Sequence, residues 1–232
     1  MLILITGASR GIGLETVKQL CQNPEHLIIA VSRNTKPLEL LVKEKPLHNL
    51  LPVKCDITKA NDLKKMVAVV KSLRIQLDVL INNAGMIVNK PFEKISIAEL
   101  SAVYSTNVFA PFLLIQKLLP LMGKKNRSHI VNISSMGGFQ GSSKFPGLSA
   151  YSSSKSALTG LTECLAEELK EKNISVNCLA IGAVQTEMLS KAFPGYKAPL
   201  SAKQMGDFIG NFSLTGHLFF NGKILPVSST TP

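Results

Sequence analysis

Residues 2–13 read Leu-Ile-Leu-Ile-Thr-Gly-Ala-Ser-Arg-Gly-Ile-Gly. Four apolar residues without polar alternation read as a short strand buried on both faces. The glycines behind it follow the spacing Gly7-x-x-x-Gly11-x-Gly13, with Ser9, Arg10 and Ile12 between and beside them. Glycine at these points permits a tight turn and a close backbone approach to an anion. The helix that follows, Ile12–Cys21, aims free N–H groups and the positive end of its dipole at that anion. A glycine turn alone is ordinary. This spacing is not Gly-x-Gly-x-x-Gly, but a glycine turn placed directly between the first strand and the first helix reads as the diphosphate cradle of a dinucleotide-binding sheet.

Outward from this unit the chain keeps alternating. Strands are expected at Leu27–Val31, Leu51–Cys55, Asp78–Ile81, Ile130–Ile133 and Ser175–Leu179. Helices are expected at Pro37–Lys43, with Pro37 in the first turn, at Lys59–Leu73, at Ile97–Met122 with a kink at Pro111, and at Ala150–Lys172. Short helices near Glu187–Ala192 and Ala202–Phe212 precede a hairpin expected across Asn221-Gly222. This alternation predicts βαβ units: a doubly wound parallel α/β sheet of Rossmann type, with helices on both faces. With no repeat, linker or break in composition, residues 1–232 are expected to form one domain, with a short substrate loop and C-terminal segment at about 184–232.

The 232 residues are 45% hydrophobic, which excludes a disordered chain. The longest clear apolar run, Val108–Ile115, is interrupted by Pro111 and falls short of the roughly 18 residues of a membrane span. Met1 runs straight into the first strand, so no secretory signal is expected. Cys21, Cys55, Cys164 and Cys178 form no CxxC pair and lie in apolar segments. They read as reduced core thiols of a cytoplasmic protein, and no metal site is expected. The net charge of +11 raises nucleic acid as a partner. Against it, 22 of the 26 cations are dispersed lysines, Trp is absent and Tyr numbers three, which leaves no stacking platform for bases. A solvated lysine-rich surface accounts for the charge, with neither nucleic acid nor membrane as partner.

The end of the second strand reads Val31-Ser32-Arg33-Asn34. An NAD-type sheet places a carboxylate here for the ribose 2′-hydroxyl, and there is none. Arg33, joined by Arg10, suits a 2′-phosphate instead. Residues 33–74 carry ten Lys/Arg against four Asp/Glu. NADP(H) is therefore expected over NAD(H).

Tyr151-Ser-Ser-Ser-Lys155 places a phenol and an ammonium on one helical face. Such a pair is common on surfaces. Next to a catalytic pocket, the ammonium would lower the phenol's pKa toward acid–base use. It has company here: Asn82-Asn83-Ala84-Gly85 closes the fourth strand, Asn107 lies in the next helix, and Ser134-Ser135 closes the fifth strand. With Thr6–Gly13, Asp56-Ile57 and the run Asn177–Thr186, these elements stand in the order found in the short-chain dehydrogenase/reductase family, which the chain resembles from residue 2 to about 190. The resemblance implies Tyr151 as acid/base, Ser135 as the hydroxyl that orients the substrate oxygen, and Lys155 as both tuner of Tyr151 and holder of the nicotinamide ribose. It implies Asn107 positioning a water that relays protons to Lys155. It also implies Asp56 and Ile57 beside the adenine, Asn83 along the cofactor groove, Thr186 at the carboxamide, and Ala84, Gly85, Gly182 and Val184 as further cofactor-binding residues.

Three departures stand out. Ile181-Gly182 replaces the family's usual Pro-Gly, the interval Met136–Ala150 is long and leaves Ser134 as a rival serine, and the chain after Thr186 matches weakly. The expectation is a reductase or dehydrogenase for a small carbonyl or alcohol, working as a homodimer or homotetramer. An idle NADP-binding regulator on the same fold is the alternative. Pocket-lining residues are expected among Met136, Phe139, Phe145, Met188, Leu189 and Phe193, which favour an apolar carbonyl.

Overall fold

A computed structural model describes residues 1–44 and 47–229. The last three residues of the segment expected at 184–232 lie outside it. The chain runs β1 (Leu2–Thr6), α1 (Gly11–Leu20), β2 (Leu27–Ser32), α2 (Lys36–Glu44), β3 (Leu50–Lys54), α3 (Ala60–Ser72) and β4 (Val79–Asn82). It continues with α4 (Ile97–Tyr104), α5 (Ala110–Leu118), β5 (Ser128–Ser135), α6 (Ser149–Glu168), β6 (Ile174–Ile181), β7 (Val184–Gln185), α7 (Glu187–Ala192), β8 (Leu200–Ser201), α8 (Ala202–Thr215) and β9 (Ile224–Val227).

Seven strands form one sheet in the order β3-β2-β1-β4-β5-β6-β9, every neighbour parallel. The chain winds outward from β1 to β3, then returns to lay β4 on the other side of β1. That reversal opens a crevice above the carboxyl ends of β1 and β4, where ligands of such sheets bind. The period of two explains why the strands look uniformly apolar. Leu2 and Leu4 of β1 enter one core with Leu63, Met66 and Leu114, while Ile3 and Ile5 enter the other with Val17, Met205 and Ile209.

The helix expected over Ile97–Met122 is one helical run with a fault in it. Ser105–Phe109 forms a π turn between α4 and α5, and Pro111 sits in the first turn of α5, where its missing N–H costs least. Because the run is continuous, Ile97–Leu121 is, by length and mean hydropathy (1.3), long and apolar enough to cross a membrane, contrary to the limit set by Pro111. Ala110, Leu114, Ile115 and Leu118 of this run pack into the core.

The hairpin expected across Asn221-Gly222 does not form. Asn221 Oδ1 accepts from the Val176 N–H (3.0 Å) and its Nδ2 donates to the Ala166 carbonyl (3.2 Å), while the Gly222 N–H reaches the Val176 carbonyl (2.8 Å). The turn is thus tied to the start of β6, and β9 leaves it parallel to β6. Cys164 is exposed, not a core thiol; Cys21, Cys55 and Cys178 are buried. At the amino end of β5, His129 is fully buried, with Nδ1 2.9 Å from the Ser213 carbonyl and Nε2 3.0 Å from Asn177 Nδ2.

Candidate active site

The glycine loop is welded to the segment after β4. Thr6 Oγ1 accepts from the Asn83 and Ala84 N–H groups at 3.2 and 3.1 Å. Asn83 Nδ2 donates to the carbonyls of Thr6 (2.9 Å) and Gly7 (3.2 Å). The approach is so close that a Cβ on Gly7, whose φ is 68°, would lie 2.8 Å from Ala84 Cα, and one on Gly13 would collide with the Gly7 carbonyl. Asn83 therefore holds the loop as well as lining the cleft. The amino end of α1 has neither a side-chain cap nor an acidic residue in its first turn. Its amino-terminal N–H donors and positive dipole end lie at the cleft, and they fit a diphosphate.

The cleft encloses about 1260 Å³ along the carboxyl ends of the strands. Val31, Ser32, Arg33, Asn34, Asp56 and Ile57 line one end, and Tyr151, Lys155, Thr186 and Met188 the other. Burial disfavours the Asp56 carboxylate, but two hydrogen bonds from Thr58 and the charges of Arg33 and Lys59 outweigh it and hold the carboxyl below its usual range. Arg33 is exposed and lines the cleft beside Ser32 and Asn34. Arg10 is engaged elsewhere: its Nη1 lies 3.0 Å from Glu187 Oε2.

At the other end, β5 delivers Ser134 and Ser135, and the first turns of α6 deliver Tyr151 and Lys155. Ser134 Oγ donates to the Lys155 carbonyl (3.0 Å) and is 1% exposed, and the residue lies in the cleft wall. Ser135 hydrogen-bonds the Tyr151 hydroxyl. Lys155 is buried, with Nζ 2.7 Å from the Ile133 carbonyl and 5.8 Å from the centre of the Tyr151 ring. Desolvation lowers its pKa to about 8, although it remains a cation at neutral pH. The depressed Tyr151 pKa expected from Lys155 is not what this geometry gives. Burial pushes the phenol up, and the hydrogen bond with Ser135 opposes it only in part.

Asn107 sits in the π turn with no exposure at all. Its Nδ2 donates to the Met86 carbonyl and to Ser154 Oγ, both at 2.9 Å, and its Oδ1 accepts from the Met86 N–H at 2.8 Å. The side chain is thereby occupied by protein and does not line the cleft, so a water relay through its amide is not what the geometry provides. The π turn itself shifts the helical ladder by one residue, a feature common at functional sites. A methyl group on Gly85 would lie 3.6 Å from both Asn107 Oδ1 and Lys155 Nζ, which places this glycine beside the reactive end.

Two other expected residues serve the framework. Gly182 donates its N–H to Val227 (2.9 Å) and packs against Ser228, and Val184 is buried in the core. Ser135 stands just behind the lining residues, reached through Tyr151. Of the apolar residues expected to shape the pocket, only Met188 lines the cleft; Met86, Ile87, Ala102, Ile133, Ile181 and Ala192 are among the other apolar residues of its wall. Phe145 is instead exposed and Met136 buried. Sequence reasoning missed Ser154 and Glu187. Ser154 stands three residues after Tyr151 on the same helix, donating to the Tyr151 carbonyl (2.7 Å), and helical spacing alone could have flagged it.

A family model described as short chain dehydrogenase matches residues 1–197. Human retinol dehydrogenase 8 is 32% identical over 231 residues, which span 97% of this chain and 70% of that protein. Rat dehydrogenase/reductase SDR family member 4 is 35% identical over 193 residues, spanning 81% and 67%. The crystal structure of 3-ketoacyl-(acyl-carrier-protein) reductase from Brucella melitensis complexed with NADH superposes with a TM-score of 0.87 at 25% identity, covering 98% of this chain and 96% of that one.

Proposed function

The chain belongs to the short-chain dehydrogenase/reductase family, and from that premise we propose that it is an NADP(H)-dependent oxidoreductase interconverting a carbonyl and an alcohol, with Tyr151 as acid/base. The observation that carries this reading is the convergence of Ser135, Tyr151 and Lys155 at one end of a cleft whose other end offers uncapped helix donors and Arg33. A protein that only bound nucleotide would need the glycine loop and no buried ammonium beside a phenol, so the intact set disfavours the idle regulator.

The loop Gly7–Gly13 and the first turn of α1 would hold the diphosphate, Asp56 and Ile57 the adenine, and Arg33 the 2′-phosphate. Lys155 and Thr186 would meet the nicotinamide riboside. When bound, the nicotinamide supplies or accepts the hydride. Tyr151 donates its hydroxyl proton to the substrate oxygen as negative charge gathers there, and takes it back in the reverse direction. Ser135, bonded to Tyr151, is placed to hold the same oxygen. Lys155 stabilises the phenolate as the proton leaves, since a cation fixed near an anion in a poorly solvated site is strongly felt. Burial keeps the phenol protonated until then, which suits the reductive direction.

Met86, Ile87, Ala102 and Met188 favour an apolar carbonyl substrate. Exposed Phe109, Phe112 and Leu113 support association with a second copy. Cytoplasmic residence is proposed as well, supported by the thiols of Cys21, Cys55 and Cys178, which burial pushes up to about 12, 11 and 11 and keeps unreactive. The test is NADPH oxidation across a panel of aldehydes and ketones. Turnover of apolar carbonyls is expected; failure on every carbonyl and alcohol, despite coenzyme binding, would favour the regulator.

A further inference from the structure

The ion pair between Arg10 and Glu187 joins the glycine loop to the first residue of α7, 177 residues later, and both side chains line the cleft. The two elements touch again next door, where a methyl group on Gly11 would stand 3.4 Å from Thr186 Cγ2. The far end of α7 is held by Asn89, whose Nδ2 donates to the Ala192 carbonyl at 2.8 Å. The helix is therefore tied at both ends across the reactive half of the cleft. Glu187 also has a second cation: Lys191 Nζ lies 2.6 Å from its Oε1.

We propose that Glu187 is a specificity-determining residue, which holds Arg10 on α7 so that only a dinucleotide carrying a 2′-phosphate draws Arg10 away. The proposal rests on the NADP(H) reading given above. A phosphomonoester carries close to two negative charges and three acceptor oxygens, against one charge on Glu187. It is the stronger charge-assisted partner for a guanidinium, and Arg33 lines the same cleft. A ribose 2′-hydroxyl carries no charge and leaves the pair intact. The exchange strands no carboxylate, because Lys191 remains bonded to Glu187 when Arg10 departs. Part of the free energy of NADP(H) binding is thus spent on opening this contact, and α7 is released at its Arg10 end only by that coenzyme.

The test is a double-mutant cycle read by calorimetric binding of NADPH and NADH at low salt, using the wild type, Glu187→Gln, Arg10→Gln and the double variant. Glu187→Gln is expected to tighten NADPH about three- to fivefold, the range of an exposed ion pair, and to leave NADH within about 1.5-fold. In the Arg10→Gln background the same change should have no effect on NADPH, and raised salt should erase the gain. An equal gain for both coenzymes, no gain, or a gain that persists without Arg10 would overturn the inference while leaving the coenzyme reading intact. Failure of the wild type to bind NADPH more tightly than NADH would instead overturn that reading, and the inference with it.

Discussion

Replacing Asn107 with leucine keeps the volume of a fully buried side chain and removes its three hydrogen bonds, two to the Met86 backbone and one to Ser154. Each such bond is worth about 1 kcal/mol net, and the groups left behind lie in a half-buried loop and a buried helix face. The loss is therefore expected near 3 kcal/mol. For a chain of this length about 1 kcal/mol moves the melting temperature by 2–4 °C, so a fall of about 6–12 °C is expected. Thermal unfolding followed by far-ultraviolet circular dichroism reads it directly. Ser154 keeps its bond to the Tyr151 carbonyl, so the helix that carries the reactive pair should survive. The loop through Gly85 and Met86 should not hold its place, and turnover measured well below the transition should fall as well. A drop of less than about 2 °C would show that the Asn107 side chain is not the strut described here and would return it to a role with solvent.

Arg33→Ala should weaken NADPH binding by tenfold or so, the order expected for one charge-assisted contact, with little change for NADH; equal losses in parallel titrations would refute the adenosine-end assignment. Acid should destabilise the fold through His129, whose burial lowers its pKa to about 4 from the usual 6.5. Between those values the unfolded chain binds a proton that the folded one refuses, so stability is lost as pH falls from about 6.5 to 4, by something near 3 kcal/mol. Urea unfolding at several pH values should show this slope flattened in His129→Gln, and an unchanged slope would exclude His129 as its source.

The sheet was legible because a strand covered on both faces has to be apolar at every position, as Leu2–Ile5 and Ile28–Val31 are. The glycine loop was legible because Gly7 and Gly13 sit where a Cβ has no room. What escaped is non-local or directional. Apolar periodicity runs smoothly through Ile97–Leu118 and carries no mark of a ladder shifted by one residue, so the π turn was invisible and Pro111 marked it only from downstream. The Asn221-Gly222 dipeptide specifies a turn but not the free edge the next strand will join; the anchoring of Asn221 on Val176 and Ala166 decides that. Cys164 belongs by type in a core, yet it lies across the helix from buried Leu158, Thr162 and Ala166. Arg10 and Arg33 both line the cleft. That a carboxylate 177 residues away would claim one of them is a matter of side-chain direction that no local pattern encodes.

Tyr151→Phe tests the central claim most directly, since it removes one oxygen and leaves Lys155, Ser135 and the cleft walls in place. With a carbonyl substrate identified from the panel, single-turnover reduction by bound NADPH should slow by roughly 10²–10⁴, the usual worth of a positioned acid–base group, while NADPH affinity stays within about twofold of wild type. Reduction at a near-normal rate in Tyr151→Phe would contradict the account, because the proton would then come from a group other than the one this cleft presents.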